Sequence, residues 1–342
     1  MEPAAALRRI AYLLEAENAE SYRVRAFRRA AEVAAAVDPG ELERLRRSGQ
    51  LTSLAGVGET TAQVVAETLQ QGTPVYLRSL EERLPPSLEG GAALFRARLQ
   101  GDCHTHSDWS DGGSPIDEMA RAAADLGHGY IALTDHSPRL TVARGLSPER
   151  LRSQLQVLDG LNPSLAPFQI LSGIEVDILE DGGLDQEPEL LGGLDLVVAS
   201  VHSKLRMEAV PMTQRMLRAV ADPNSDVLGH CTGRLITGRG RPQSSFDATA
   251  VFSACQLLGK AVEINSRPER QDPPEDLLKL AVELGCLFAI DTDAHAPGQL
   301  EWLRLGCLQA EQASVPVERI VNTWSAQRLR EWTRAHRGGA AS

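Results

Sequence analysis

GDCHTHSDWSDG, residues 101–112, sets His104 and His106 one residue apart at the end of a short strand-like run, with Asp111 following in the next turn. In an H-x-H on a strand both imidazoles point to one face, because side chains alternate with period two, so they can share one cation. The chain has only eight histidines, and six of them end short apolar runs. After the first pair, His136 ends GYIALTDH, His202 ends LDLVVASVH, His230 ends SDVLGH, and Asp293 and His295 end CLFAIDTDAH. Glu175 lies near the end of FQILSGIEVDI, and KAVEINS is one further run.

Each run is followed by a helix-like stretch or a loop, and repeated strand-then-helix implies a parallel sheet. Polar residues at so many strand ends converge only if the strands close into a ring, since the outer strands of an open sheet lie too far apart. A (β/α) barrel builds its site at the C-terminal ends of its strands, so residues 101–337 are expected to form one, with about seven or eight strands. Mixed imidazole and carboxylate ligands suit zinc, manganese or iron better than calcium or magnesium. His128 and His336 lie off the pattern and are read as structural.

Upstream, Leu7, Ile10, Ala11 and Leu14 fall at the spacing of one buried helical face, and residues 4–83 read as helices throughout. LPPSLEGGAAL (84–94) marks a connector, giving an all-α domain over 1–84, a linker over 85–100 and the barrel beyond. The net charge of −11 argues against wholesale electrostatic binding to nucleic acid, although a local basic face or bound cations can reverse that near a site. Five scattered cysteines, with no C-x-x-C pair, indicate reduced thiols rather than disulfides or a cysteine zinc knuckle. The N-terminus has no secretory pattern and no run reaches the roughly 18 apolar residues of a membrane span, so a cytoplasmic protein without membrane association is expected.

The set HTHSDWSDG, LTDHS, GIEVDI, ASVHSK, LGHCTGR, VEINSRPER and DTDAH, in that order across residues 101–310, resembles the PHP (polymerase and histidinol phosphatase) superfamily. The resemblance implies a distorted seven-stranded (β/α) barrel holding up to three divalent metal ions. Carried over by motif, His104, His106, Glu175 and Asp293 would form the first site. Glu175 would bridge to a second with His202 and His230, and Asp111, His136 and His295 would form a third. Asp102 and Asp135 flank ligands and would either orient an imidazole from behind or cap local backbone. Cys103 and Cys231 are expected to be turned away by strand alternation.

Clustered divalent ions lower the pKa of a bound water and hold phosphoryl oxygens in line, so phosphate-ester hydrolysis is the natural reaction, and nothing resembles a G-x-S-x-G elbow. Developing charge on the phosphoryl group calls for fixed cations. Lys204, one of only three lysines, follows a ligand, and Arg267 and Arg270 lie in NSRPER. Arg144 in ARGL and Arg234 in TGR are similar to basic loop positions of the family.

LTSLAGVGETTAQVVAETL (51–69) looks like a helix-hairpin-helix, with Gly56, Val57 and Gly58 in a tight turn that can offer backbone N–H groups to a DNA phosphate. With LRRIAYLLEAENAESYRVRAFRRAAEVAAAV before it, the segment resembles the N-terminal DNA-binding domain of bacterial family X DNA polymerases, which also carry a PHP domain. Arg23, Arg25, Arg28 and Arg29 would then form part of a DNA-backbone surface. No room is left for a polymerase palm. The first lysine is Lys204, and the hairpin helix has Thr60 and Val64, so a lysine Schiff-base lyase is chemically excluded. The expected function is metal-dependent hydrolysis at DNA 3′ ends, as a 3′→5′ exonuclease or a 3′-phosphatase. The alternatives are a small-molecule phosphatase whose helical domain is a lid or dimer surface, and a DNA-bound scaffold without chemistry. DNA and a phosphate ester are the implied partners, and no protein partner is inferable.

Overall fold

The computed structural model describes residues 1–338. The chain divides into two compact units, Met1–Ser87 and a second beginning at Leu88. In the first, helices α1 (Pro3–Ala16), α2 (Ser21–Ala36), α3 (Pro39–Arg47), α4 (Glu59–Gln71) and α5 (Val75–Glu81) enclose their own core. Leu7, Ile10, Ala11 and Leu14 are all buried there, as their spacing requires. Asp38 caps α3 by accepting from the N–H groups of Gly40 (2.8 Å) and Glu41 (3.2 Å), and Pro39 opens the helix, where its missing N–H costs nothing.

The stretch expected to be a linker is mostly not one. Residues Gly90–Arg98 form α6, and Ala92 and Phe95 sink into the barrel's outer core, while Gly91 N–H donates to Glu311 Oε1 at 2.5 Å. The paired glycines begin a helix here rather than interrupt the chain.

Among the described residues the second unit has seven parallel strands in sequential order: β1 (Gly101–Thr105), β2 (Tyr130–Leu133), β3 (Gln169–Asp177), β4 (Leu196–Ser200), β5 (Val227–Leu228), β6 (Ala261–Asn265) and β7 (Leu287–Asp291). The barrel expected from the strand ends, in the distorted seven-stranded form that the family resemblance implies, is thus the fold. Val197 and Ala199, Val262 and Ile264, and Phe288 and Ile290 face the surrounding helices. Their alternates Leu196, Val198, Ala261 and Ala289 fill the barrel with Tyr130, Ala132, Leu171 and Val227, and Val321 and Leu329 join this inner cluster from the C-terminal segment. Cys103 belongs to the same inner cluster, and all five cysteines are free and buried.

The seam between β7 and β1 is latched rather than laddered. Thr105 and Ala294 form an isolated parallel bridge, and His106 N–H donates to Ala294 O at 2.8 Å. Below, the Asn322 side-chain amide donates to Gly101 O (3.0 Å) and Ile290 O (2.7 Å) and accepts from Ile290 N–H (3.1 Å). One buried amide thereby satisfies backbone groups of both edge strands. No helix of the described residues is long and apolar enough to cross a membrane.

Candidate metal centre at the barrel mouth

His104 stands on β1 and Glu175 on β3. The other seven residues of the expected ligand set lie just past the C-terminal ends of β1, β2, β4, β5 and β7. All nine come together. Glu175 is at the centre: its Oε2 lies 3.3 Å from His104 Nε2, 3.6 Å from His106 Nε2 and 2.8 Å from His136 Nδ1. Its Oε1 lies 3.1 Å from His202 Nε2 and 2.8 Å from His230 Nε2. Each oxygen of one carboxylate therefore faces a different group of imidazoles, the arrangement that bridging requires. Asp293 Oδ1 is 3.3 Å from His106 Nε2, and Asp111 Oδ1 is 3.3 Å from His295 Nε2 and 3.5 Å from His136 Nε2. Three groups offer ligand atoms within 4.8 Å of one another: His104, His106 and Glu175; His136, Glu175 and His202; and His106, Asp111, His136 and His295. Gly229 lets β5 come this close, because a Cβ there would collide with Ser200 Oγ.

The donor set fits divalent cations. His104 Nε2, both ring nitrogens of His106, His202 Nε2 and Glu175 Oε2 are buried and make no hydrogen bond among the described residues. An unmet buried polar atom costs about 1–3 kcal/mol, and several within one cavity call for a common partner. Imidazole nitrogen with carboxylate oxygen is the ligand chemistry of zinc, manganese or iron.

The electrostatics divide the imidazoles. Burial, reinforced by the neighbouring His295 and His136, pushes His106 down to about 3, which keeps the ring neutral and its lone pair available. Burial and then Arg270 likewise lower His230. Burial also opposes charge on His202, but Glu175 and Asp177 outweigh it and lift that ring to about 9. His104 is lifted for the same reason by Glu175, Glu263 and Asp293. Glu175 and Asp293 resist burial and stay well below the usual carboxylate range, the first through His202, His104 and His136, the second through Arg267 and His104.

Three residues of the site were not singled out in the sequence. Glu263 on β6 lies 2.5 Å from His104 Nδ1 and also accepts from His230 N–H, while Asn265 donates to it at 3.2 Å. Asp177 Oδ1 lies 3.4 Å from His202 Nδ1 and accepts the His202 N–H at 3.2 Å. These two carboxylates lie behind imidazoles, in the position that fixes tautomer and ring orientation. Both stand in quoted motifs, Glu263 as the one acid of VEINS and Asp177 as the second acid of GIEVDI, and those acids were the available signal. Arg215, fully buried on helix Ala209–Ala221, donates to Leu179 O (2.8 Å) and Ser203 O (2.8 Å) and ties the loops after β3 and β4 together.

The flanking acids behave differently from the ring-orienting role considered for them. Asp102 accepts from Thr292 Oγ1 (2.5 Å) and His104 N–H (3.1 Å). Asp135 accepts from Ser107 Oγ (2.6 Å), Ser107 N–H (2.8 Å), Ser110 Oγ (2.5 Å) and Gln154 Nε2 (2.6 Å). Neither holds an imidazole; Asp102 pins β1 to the end of β7, and Asp135 organises the loop that carries Asp111. Cys231 lies beside Asp272 at 3.7 Å, outside the ligand groups.

The cations also sort themselves. Arg267 Nη1 is 3.1 Å from His295 Nδ1 and 3.4 Å from Asp293 Oδ1, and Arg270 Nε is 3.4 Å from Asp293 Oδ2. Lys204 is exposed in a left-handed turn (φ 54°) and makes no ion pair among the described residues. Arg144 and Arg234 depart from expectation: Arg144 donates to Asp108 O (3.1 Å) and Ser110 O, and Arg234 to Arg270 O (3.0 Å) and Gln271 O. Their guanidinium groups brace loops.

In the helical unit, Gly56 turns with φ 100°, and a Cβ there would fall 2.7 Å from Arg29 Nε, so Arg29 lies across the hairpin. The first arm is only a 3-10 turn, Leu51–Ser53. Val57 is buried, and Gly58 N–H donates to Thr61 Oγ1 at 2.9 Å. Of the four arginines, Arg28 pairs with Glu15 at 2.6 Å and Arg23 donates to Tyr76 Oη at 2.6 Å. Arg25 and Arg29 are exposed.

The comparisons with known proteins follow this division. A family model for the helix-hairpin-helix domain matches residues 1–74, and one for the PHP domain matches residues 102–267. The chain is 37% identical over 228 residues to the DNA polymerase/3′-5′ exonuclease PolX of Bacillus subtilis, a match over 67% of this chain and 40% of that protein. The chain thus spans less than half the length of this relative. It is 29% identical over 233 residues to a probable phosphatase of Thermoanaerobacter sp. (strain X514), covering 65% of this chain and 89% of that one. The solved structure of histidinol phosphate phosphatase from Lactococcus lactis, complexed with zinc, L-histidinol and phosphate, aligns with 63% of this chain and 94% of that one, with a TM-score of 0.45 and 19% identity. Residues 1–74 thus match a helix-hairpin-helix domain and residues 102–267 a PHP domain, the organisation of a metal-dependent phosphoesterase with no polymerase palm between the two domains.

Proposed function

We propose that this protein hydrolyses phosphate esters at DNA 3′ ends, as a 3′→5′ exonuclease or a 3′-phosphatase. The observation that carries the reading is the presence on one chain of a helix-hairpin-helix domain and a full set of nine ligand-competent side chains at a barrel mouth. His104, His106, Glu175 and Asp293 would hold one ion, Glu175 with His202 and His230 a second, and Asp111 with His136 and His295 a third. Divalent ions bound there supply an acidified water and Lewis-acid charge for the phosphoryl oxygens. Glu263 and Asp177 orient His104 and His202 from behind. Arg267 and Arg270 offer fixed positive charge to the phosphoryl group, with Lys204 reaching in from the loop after β4. Arg29 and the Gly56–Val57–Gly58 turn would meet the DNA backbone, with Arg25 beside them, while Arg23 and Arg28 chiefly hold the helical domain together.

Manganese-loaded protein incubated with end-labelled single- and double-stranded DNA should release the 3′-terminal group, and a His104→Ala control should not. Release no greater than the control's would overturn the reading.

A second reading, a small-molecule phosphatase, is favoured by relatives named probable phosphatases, 89–94% of whose length this chain covers in three instances. Removing residues 1–87, a compact unit in its own right, separates the two. A DNA enzyme loses affinity and salt sensitivity, whereas a small-ester enzyme keeps its turnover.

A further inference from the structure

The loops at the barrel mouth differ in charge, and the one after β2, with Arg139 and Arg144 against Asp135, lies between two acidic ones. Segments 106–115 after β1 and 178–187 after β3 carry six Asp/Glu and no Lys/Arg. Segments 203–208 after β4, 231–243 after β5 and 266–272 after β6 carry seven Lys/Arg against three Asp/Glu, on a chain whose net charge is −11. Two of those three acids are engaged: Glu269 with Arg267 Nε at 2.7 Å, and Asp272 with Thr232 Oγ1 at 2.5 Å.

In the middle of the basic half stands a hairpin, residues 234–241. Leu235 and Arg241 exchange backbone hydrogen bonds of 2.9 Å, and Gly238 and Gly240 turn its tip in the left-handed region (φ 66° and 64°). It is fastened to the site through the loop after β6. Ile236 N–H donates to Glu269 O at 2.8 Å and Arg234 Nε to Arg270 O at 3.0 Å, and Arg270 itself reaches Asp293. The tip presents Ile236, 49% exposed, beside Arg239, which is exposed and makes no ion pair among the described residues. Arg206, in the loop after β4, is likewise exposed.

We propose that this half of the mouth is a strand-binding surface. The phosphodiester backbone of a single-stranded 3′ tail runs over the loops after β4, β5 and β6, Arg239 and Arg206 take phosphates upstream of the scissile ester, and Ile236 lies against a base or sugar. The proposal rests on the reading of the substrate as a DNA 3′ end and adds where the rest of the strand goes. A small monoester ends at the reacting phosphate and has nothing to place on a hairpin this far out. A strand carries one charge per nucleotide and gains counterion-release free energy at each cation it meets, while an apolar tip accepts any base.

The test uses the full-length, manganese-loaded protein and single-stranded oligothymidylates from two to about twelve nucleotides, read as release of the 3′-terminal group. For the wild type, kcat/KM should climb with length. In Arg239→Glu the climb should flatten by about ten-fold at the long end, and the slope of log kcat/KM against log salt should fall by about one. Glu180→Gln, on the acidic rim, should leave the climb unchanged. The proposal is overturned if Arg239→Glu climbs like the wild type, or if Glu180→Gln flattens the curve equally. A wild type that hydrolyses para-nitrophenyl phosphate but releases nothing from any oligothymidylate would instead remove the DNA reading itself, and the strand surface with it.

Discussion

Within residues 1–87, charged side chains answer one another: Arg28 meets Glu15, Arg44 meets Glu41, Arg46 meets Glu43 and Arg83 meets Glu17. At the barrel mouth, buried ring nitrogens and a carboxylate oxygen converge without hydrogen-bond partners among the described residues. The first region pairs much of its charge internally while leaving Arg25 and Arg29 exposed, and its outer ion pairs are screened by solvent. The second is a set of donors whose mutual arrangement makes sense only around cations. Charge in the helical domain is thus surface chemistry, whereas charge in the barrel is an assembled instrument.

The strongest attack on this contrast is Glu175→Gln, because one carboxylate faces five imidazoles. We expect kcat/KM to fall by about three orders of magnitude, or ~4 kcal/mol, with reduced metal content in the purified protein. A loss within ten-fold, measured by steady-state kinetics beside elemental analysis, would mean that the centre is not built around this group.

Glu263→Gln sharpens the same point one layer out. Metal affinity should weaken by about 10- to 100-fold, seen in competition with a chromogenic chelator, while the thermal transition of the metal-free protein moves little.

His128 is the counterexample within the barrel, a buried histidine with no hydrogen bond to either ring nitrogen among the described residues. Burial, and then Arg96, lower it to about 3. Below its unfolded value of about 6.5 the unfolded chain binds the extra proton, so stability falls as pH drops from there toward 3. At pH 5 the loss is about 2 kcal/mol. His128→Leu should abolish that share of the acid sensitivity, measured as urea unfolding at pH 7 and pH 5 for both proteins.

The smallest effect belongs to the hairpin of the helical domain. Arg29→Ala should weaken DNA binding about three- to ten-fold and lower its salt slope by about one, with no change in melting temperature. Arg28→Ala should do the reverse, because it removes a pairing with the buried Glu15 and no outward-facing charge.

The sequence disclosed the barrel and its nine converging side chains because each strand ends in the residue that matters, and strand alternation turns an H-x-H into a shared face. Glu263 and Asp177 share those inward faces but carried no mark of their role. Read along the chain, each is merely another polar residue of a strand, and its partner imidazole is supplied by a different strand through sheet register. Arg144 and Arg234 were indistinguishable from Arg267 and Arg270 for a related reason, since a basic residue near a ligand says nothing about whether its N–H groups are spent on carbonyl oxygens. Residues 90–98 looked like a joint because of Gly90 and Gly91, yet the burial of Ala92 and Phe95 outweighs the weak helix propensity of the pair.

Asn322 joins strands that lie at opposite ends of the barrel's stretch of sequence, and it is itself translated after all seven of them. Until it emerges, a nascent barrel has its β1–β7 seam joined only at the mouth, through Thr105, His106 and Ala294. All seven strands must therefore be made before the ring is fully fastened, and a polypeptide truncated ahead of this residue would carry the histidines on a barrel joined at its mouth but not below it.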